Sequence, residues 1–313
     1  MSKHLFGIVV TPYGTAANNR GATEGNITTL QKILWKNEVH TTVSAEAIRW
    51  AIRYAWQSAG IAVNRKWDEE KSDHEWQDQK WLAWTSPDCK DKPSFIDDDV
   101  LGFMLAEAGK TEGNDAEADD GGGKKKKAPR VKGTCDKRRG VLEVTRALSL
   151  TPFAGDITFN AKSGEKGSTS LYGTEVHATR YQYGFAMTPG LLREQSRVIS
   201  VVDALVSLAE VAGNQSRFLF DFSPETIIFR WTDDFSPRML YGFGLDAAGG
   251  LTVPDLLRRV ESGDVKASEL VVGGSLAETP DGKKLENAGA FVKGGVLAAA
   301  TEMKNRIKAD MGL

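Results

Sequence analysis

The stretch that most constrains this chain lies in its middle. Glu112-Gly-Asn-Asp-Ala-Glu-Ala-Asp-Asp120 is followed by three glycines and then by Lys124, Lys125, Lys126 and Lys127. An acidic block, a glycine hinge and a basic block hold almost no apolar surface, so the segment cannot offset its own ordering entropy. We expect a mobile loop over 110–133, set within a larger insertion over 61–139. Across that insertion Trp67, Trp76, Trp81 and Trp84 alternate with acids, lysines and glutamines, the pattern of an irregular subdomain pinned by aromatic side chains. Basic residues continue past the lysine run at Arg130, Lys132, Lys137, Arg138 and Arg139. The core must therefore come from the two flanks.

The N-terminal flank, 1–60, opens with Leu5-Phe-Gly-Ile-Val-Val10, a β-branched run ended by Thr11-Pro-Tyr-Gly14, so a strand and then a turn. A polar loop extends to about Gly25. Ser44 reads as an N-cap and Glu46 suits the first turn of a helix running to about Ser58, with Gly60 ending it. Ile48, Ala51, Ile52 and Ala55 recur at helical spacing and should face the core, with Arg49 and Arg53 on the opposite face.

After the insertion, Val141 to Leu148 reads as a returning strand within 140–152. The segment 153–181 reads as an extended hairpin with a polar tip near Lys162 to Gly167. In the remainder, 182–313, Thr188 and Pro189 supply an N-cap and an N1 proline for a helix. That helix would carry Leu192, Val198, Val201, Val202, Leu205, Leu208 and Ala209 and end at Gly213. Phe218 to Phe222 and Thr226 to Trp231 read as a strand pair, and Leu251 to Glu261 and Glu286 to Met311 as further helices. Without the insertion the order is strand, helix, strands, helix, strand. This is the split βαβ arrangement, an α+β, ferredoxin-like (RRM-like) fold. No internal repeat is visible.

Several functions are excluded. Lys and Arg total 40 against 42 Asp and Glu, a formal charge of −2, which argues against indiscriminate coating of nucleic acid but leaves room for a local basic groove. Cys89 and Cys135 are too few for a disulfide scaffold, and the four histidines are scattered without ligand spacing. There is no Gly-x-Ser-x-Gly, no phosphate loop ending in Gly-Lys-Ser/Thr and no metal-spaced cluster. Asp97-Asp98-Asp99 reads as a solvated acidic turn. No catalytic residue, metal or cofactor is expected. The N-terminus does not read as a signal peptide, and no apolar stretch is long enough for a membrane span, so a cytoplasmic protein is expected.

The polar loop has chemistry suited to a phosphodiester backbone. Gly14, Gly21 and Gly25 let main-chain N–H groups approach phosphate, Asn18, Asn19 and Asn26 add neutral donors, and Arg20 adds a bidentate cation. Its composition equally fits an ordinary surface loop rich in turn formers. Arg49 and Arg53 equally read as a solvated helix face, or as the border of a groove shared with that loop. Gly213-Asn214-Gln215-Ser-Arg217 is a second glycine and amide turn, which also fits a simple helix C-cap.

Leu5 to Gly21, Glu24 to Gln31 and Val43 to Trp50 closely resemble the DevR subgroup of CRISPR-associated backbone proteins. These are the "Cas-seven" subunits of type I (I-B-like) Cascade, in the RAMP superfamily. The resemblance continues through Phe153-Ala-Gly-Asp156 and Ala212 to Arg217, and leaves out about Trp67 to Lys137. It implies a hand-shaped subunit with a ferredoxin-like palm, an inserted finger subdomain at 61–139 and a β-hairpin thumb at 153–181. Copies would polymerise along one CRISPR RNA and present it for pairing with target DNA, beside a guide 5′-end cap subunit, a large subunit and a guide-processing endonuclease. By position, Asn18, Asn19, Arg20, Gly21, Asn26, Arg49, Arg53, Lys162, Lys166, Gly213, Asn214, Gln215 and Arg217 would hold the guide. Lys124, Lys125, Lys126, Lys127, Arg130 and Lys132 would touch target DNA or a neighbouring subunit. Type III relatives cut RNA with an acid in the loop after the first strand. Here that loop has Glu24 as its only acid, so the resemblance implies no nuclease activity. Metal-dependent RNA cleavage and transcriptional autoregulation are the alternatives.

Overall fold

The computed structural model describes residues 2–18, 22–89, 92–106, 135–161, 171–211 and 219–313. Its largest sheet runs, edge to edge, Phe291–Lys293, Leu270–Gly274, Thr226–Thr232, His4–Val10, Tyr181–Met187, Ala147–Ser149, Glu38–Val43 and Lys32–Trp35, with Leu142–Val144 also paired to Tyr181–Met187. All pairings are antiparallel except that of the two C-terminal strands.

The first strand is buried on both faces, as its unbroken apolar run requires. Leu5 and Val9 join one core with Ile48, Ile52, Val201, Leu205, Met303 and Ile307, on the helices Ala45–Ser58, Arg197–Val206 and Val296–Met311. Phe6, Ile8 and Val10 join a second core with Met239, Phe243, Leu256 and Leu285. The fold is mixed α+β.

Local signals account for much of this. Ser44 Oγ accepts from the Ala47 N–H and caps the first helix, while Gly60 takes φ +76° just beyond it. Lys36 and Asn37 both have positive φ, at 49° and 68°, the turn geometry that closes Lys32–Trp35 onto Glu38–Val43.

Other expectations are corrected. The core does not come from the two flanks alone, because Val63, Ile96, Val100 and Leu101 of the insertion are buried in the first core. Pro189 opens a one-turn 3₁₀ helix, Pro189–Leu191, and the α-helix begins at Arg197 after a bend. That helix stops at Val206, so Leu208 and Ala209 lie beyond it. Where a strand over 218–222 was expected, the described residues form a single bridge, Glu210 to Asp221. The C-terminal third adds two strands to the sheet besides its helices Pro254–Glu261, Pro280–Asn287 and Val296–Met311.

Asp97, Asp98 and Asp99 are not a solvated turn. All three are buried in the helix Ile96–Leu101. Asp97 accepts from the backbone N–H groups of Asn64 and Arg65 and pairs with Arg53 at 3.0 Å. Asp99 pairs with Arg138 and Arg197 and accepts from the N–H groups of Arg193 and Glu194. Around them the tryptophans form ring contacts, with Trp81 stacked on Phe103 at 4.7 Å. Trp84 is flanked by the guanidiniums of Arg138 and Arg193, at 4.1 and 4.2 Å.

Candidate nucleic-acid interface

Just past the first strand, the Thr11 N–H donates to the Tyr181 carbonyl while its Oγ1 accepts from the Tyr181 N–H, both at 2.9 Å. The chain then turns outward at Pro12 and Tyr13 and re-enters a sheet at once. Gly14–Ala16 pairs with His177–Thr179 of the long strand Leu171–Thr179. Ala16 and Ala17 are fully buried, and Asn18 Nδ2 donates to the Thr42 carbonyl at 2.5 Å.

The far side of the loop is tied down as well. Thr23–Glu24 folds back on Ile27–Thr28 through Gly25, which takes φ +60°. Ile27–Thr28 lies parallel to Gly173–Thr174, and the Asn26 carbonyl accepts from the Gly173 N–H at 2.9 Å. Glu175 completes this anchorage, accepting from the Leu30 N–H at 2.7 Å and from Lys32 Nζ at 2.6 Å. Leu171–Thr179 pairs on its other edge with Asp156–Ala161 to form a hairpin stem. Loop and hairpin therefore share one five-stranded sheet. Thr23, Glu24, Gly25 and Asn26 are exposed along it.

A buried polar network supports the base of the hairpin. Thr41 Oγ1 lies 2.7 Å from His177 Nδ1 and 2.8 Å from the Tyr181 hydroxyl, and Thr151 Oγ1 lies 2.8 Å from Thr179 Oγ1. Burial, with His40 nearby, holds the His177 imidazole below its ordinary pKa, against the opposing effect of a hydrogen bond to the Pro152 carbonyl. The neutral ring is the form this pocket favours.

The expected site residues divide into three groups. Asn18 and Asn26 belong to the loop as expected, one anchored and one exposed. Arg49 and Arg53 turn away from it, toward the insertion: Arg49 donates to the Leu101 carbonyl and Arg53 pairs with Asp97. Burial, then the neighbouring Arg53 charge, lowers the Arg49 pKa. Contacts within the chain thus account for both arginines. Asn19, Arg20, Gly21, Lys162, Lys166, Gly213, Asn214, Gln215 and Arg217 lie outside the described residues. So do Lys124, Lys125, Lys126, Lys127, Arg130 and Lys132.

One cation that the sequence did not single out lies beside the loop. Arg146 is exposed, and its Nη1 reaches Gln31 Oε1 at 3.3 Å and Thr42 Oγ1 at 3.2 Å. Thr42 is the same residue whose carbonyl holds Asn18. Nothing in the local sequence announces this, because Gln31 and Thr42 come from a hairpin more than a hundred residues earlier.

Among the described residues no group of His, Cys, Asp and Glu is placed to hold a metal ion, and no helix is long and apolar enough to cross a membrane.

No family model matches the chain. A curated relative from Myxococcus xanthus (strain DK1622), "CRISPR-associated protein Cas7/Cst2/DevR", is 47% identical over 318 residues, covering 98% of this chain and 99% of the relative. Two solved structures have a similar fold. A chain of a "CRISPR RNA-guided surveillance complex, pre-nicking" aligns with TM-score 0.57 at 12% identity, over 98% of this chain and 99% of its own. A chain of a "CRISPR RNA-guided surveillance complex" aligns with TM-score 0.55 at 13% identity, over the same shares, 98% and 99%.

Proposed function

The chain belongs to the Cas7/Cst2/DevR family of CRISPR-associated proteins, and we propose that it is a non-catalytic backbone subunit of a type I CRISPR surveillance complex. Copies line up along one CRISPR RNA, hold it by its sugar–phosphate backbone and leave its bases to pair with target DNA. The observation that carries this reading is the shared sheet of loop and hairpin, in a chain whose relative is named a CRISPR-associated protein. A loop that grips phosphates gains rigidity from the hairpin, and a hairpin that reaches a neighbour is set in register with the grip.

The palm reading rests on strand order. Thr226–Thr232, His4–Val10, Tyr181–Met187 and then the Leu142–Ser149 strands are neighbours, with Ala45–Ser58 and Arg197–Val206 packed in one core. This antiparallel order, with the first strand between the fourth and the third, supports a ferredoxin-like palm. On this reading 61–139 is the finger insertion and 153–181 the thumb. Partners are the guide RNA, further copies, a 5′-end cap subunit, a large subunit and the guide-processing endonuclease.

Recognition through phosphates and shape predicts binding that ignores guide sequence and weakens steeply with salt. Arg20→Ala should reduce affinity for unrelated guides by the same factor, about 5- to 20-fold, and lower the salt slope by about 0.7. Fluorescence anisotropy across a salt series checks this. Protein that purifies without RNA and forms no ladder of assemblies on a guide would refute the reading. For the non-catalytic part, a guide complex is incubated with complementary RNA and Mg²⁺. Cleavage lost in Glu24→Ala would replace it with the nuclease alternative.

A further inference from the structure

Resting on that reading, we propose that Arg146, aimed outward by a β-bulge, is a second cation contacting the guide's phosphate backbone, next to the Asn18–Asn26 loop. The bulge follows from the register. Val144 pairs with Phe185 and Leu148 with Gln182, so four steps on one strand oppose three on the other. One extra residue is thus accommodated between Val144 and Leu148. The Thr145 N–H donates to the Gly184 carbonyl and its Oγ1 accepts from the Gly184 N–H, both at 2.8 Å, which leaves Arg146 outside the ladder. The Tyr241 hydroxyl donates to the Arg146 carbonyl at 2.9 Å and fixes the backbone from the other side. Tyr241 itself has φ +54° and lies against Trp35, with ring centroids 5.1 Å apart. Bulges of this kind re-aim a side chain and concentrate near functional sites.

The electrostatics separate Arg146 from four other arginines around the sheet. Arg53, Arg180, Arg197 and Arg230 each have a carboxylate within 3.0 Å. Arg146 has two neutral acceptors, Gln31 and Thr42, which orient the guanidinium without neutralising it. A guanidinium held in this way keeps its charge and its remaining donors for a phosphate. Its position is set by Thr42, which also anchors Asn18. The two contacts would therefore fall along one strand of nucleic acid. A purely structural arginine at this position would instead be sealed by an acid or buried.

The test compares guide-RNA affinity and its salt slope for the full-length wild type, Arg146→Ala, Arg146→Gln and Arg146→Lys. Arg146→Gln keeps a donor toward Gln31 and Thr42 but not the charge, so folding effects are controlled by that variant and by melting curves. We expect Arg146→Gln and Arg146→Ala to weaken binding about 5- to 10-fold for every guide sequence and to lower the salt slope by about 0.7. Arg146→Lys should keep most of the slope. If Arg146→Gln binds as wild type with an unchanged slope, the proposal is wrong while the guide-binding reading stands. If affinity falls but the slope does not, Arg146 only shapes the loop and the proposal is likewise wrong. If the wild type binds no guide, both fall together.

Discussion

Three consecutive aspartates can be buried in one short helix only if each meets its own partners. Successive helical residues point about 100° apart, so Asp97, Asp98 and Asp99 face three different neighbours. Asp97 has Arg53, and Asp99 has Arg138 and Arg197. Asp98 forms no ion pair among the described residues, and accepts from Trp81 Nε1 at 2.7 Å and Asn64 Nδ2 at 3.0 Å. Burial, then the charge on Asp97, outweighs those hydrogen bonds and raises its pKa to about 7. A carboxyl group that holds its proton more tightly when folded favours the folded state at low pH. That contribution is whole below about pH 4 and is lost as pH rises through about 7. The loss is up to about 4 kcal/mol, given 1.4 kcal/mol per pKa unit. An asparagine cannot ionise, so Asp98→Asn should gain on the wild type as pH rises across this window. Urea unfolding at a series of pH values measures the difference; parallel curves would show that Asp98 titrates near its ordinary value.

At the scale of elements, Gly7 illustrates what the sequence hides. It pairs with Phe185 across the two central strands, and a Cβ added there would stand 2.2 Å from the Phe185 ring. The glycine makes room for an aromatic ring to lie over the strand. Gly7→Ala should cost about 1–3 kcal/mol through overpacking. Phe185→Leu should cost less on the Gly7→Ala background than alone, and a double-mutant cycle in urea reads the coupling. Additive losses would mean that the ring moves aside freely. The strand itself was legible from its β-branched run, and the first helix from its period and its Ser44 cap. Leu270–Gly274 was not, since a short apolar run buried on both faces carries no alternation to separate it from a helix. The buried aspartates were missed for a different reason. Arg138 and Arg197 lie about 40 and 100 residues away from Asp99 in sequence, and a run of like charges carries no sign of such partners. The loop was legible as a loop, but its pairing with the hairpin depends on Gly173 and Glu175, far along the chain.

For the whole molecule, the insertion question is whether the acid–glycine–lysine run contributes to the fold. The ribbon Gly102–Ala106 and Cys135–Arg139 is paired from Gly102↔Arg139 to Ala106↔Cys135, and Arg138 ties its base to Asp99. These contacts lie on the near side of the connection over 107–134. Removing Glu112–Lys127 takes away 16 of its 28 residues, leaving 12, with Ala116 and Ala118 the only hydrophobic residues lost. Closing a 12-residue connection costs about 0.7 kcal/mol less than closing a 28-residue one, when both are treated as open chains. Nothing in the removed composition offers an apolar contact to set against that gain. The deletion should therefore leave the melting temperature within about 2 °C of wild type or slightly above it, at about 2–4 °C per kcal/mol for a domain of this size. Nucleic-acid affinity is a separate matter, because four lysines leave with the segment. Weaker binding of guide-loaded protein to target DNA, with melting unchanged, would assign the run to an interface. A melting temperature lowered as far as that of Gly7→Ala would instead make it part of the folded body, as Val63, Ile96, Val100 and Leu101 of the insertion already are.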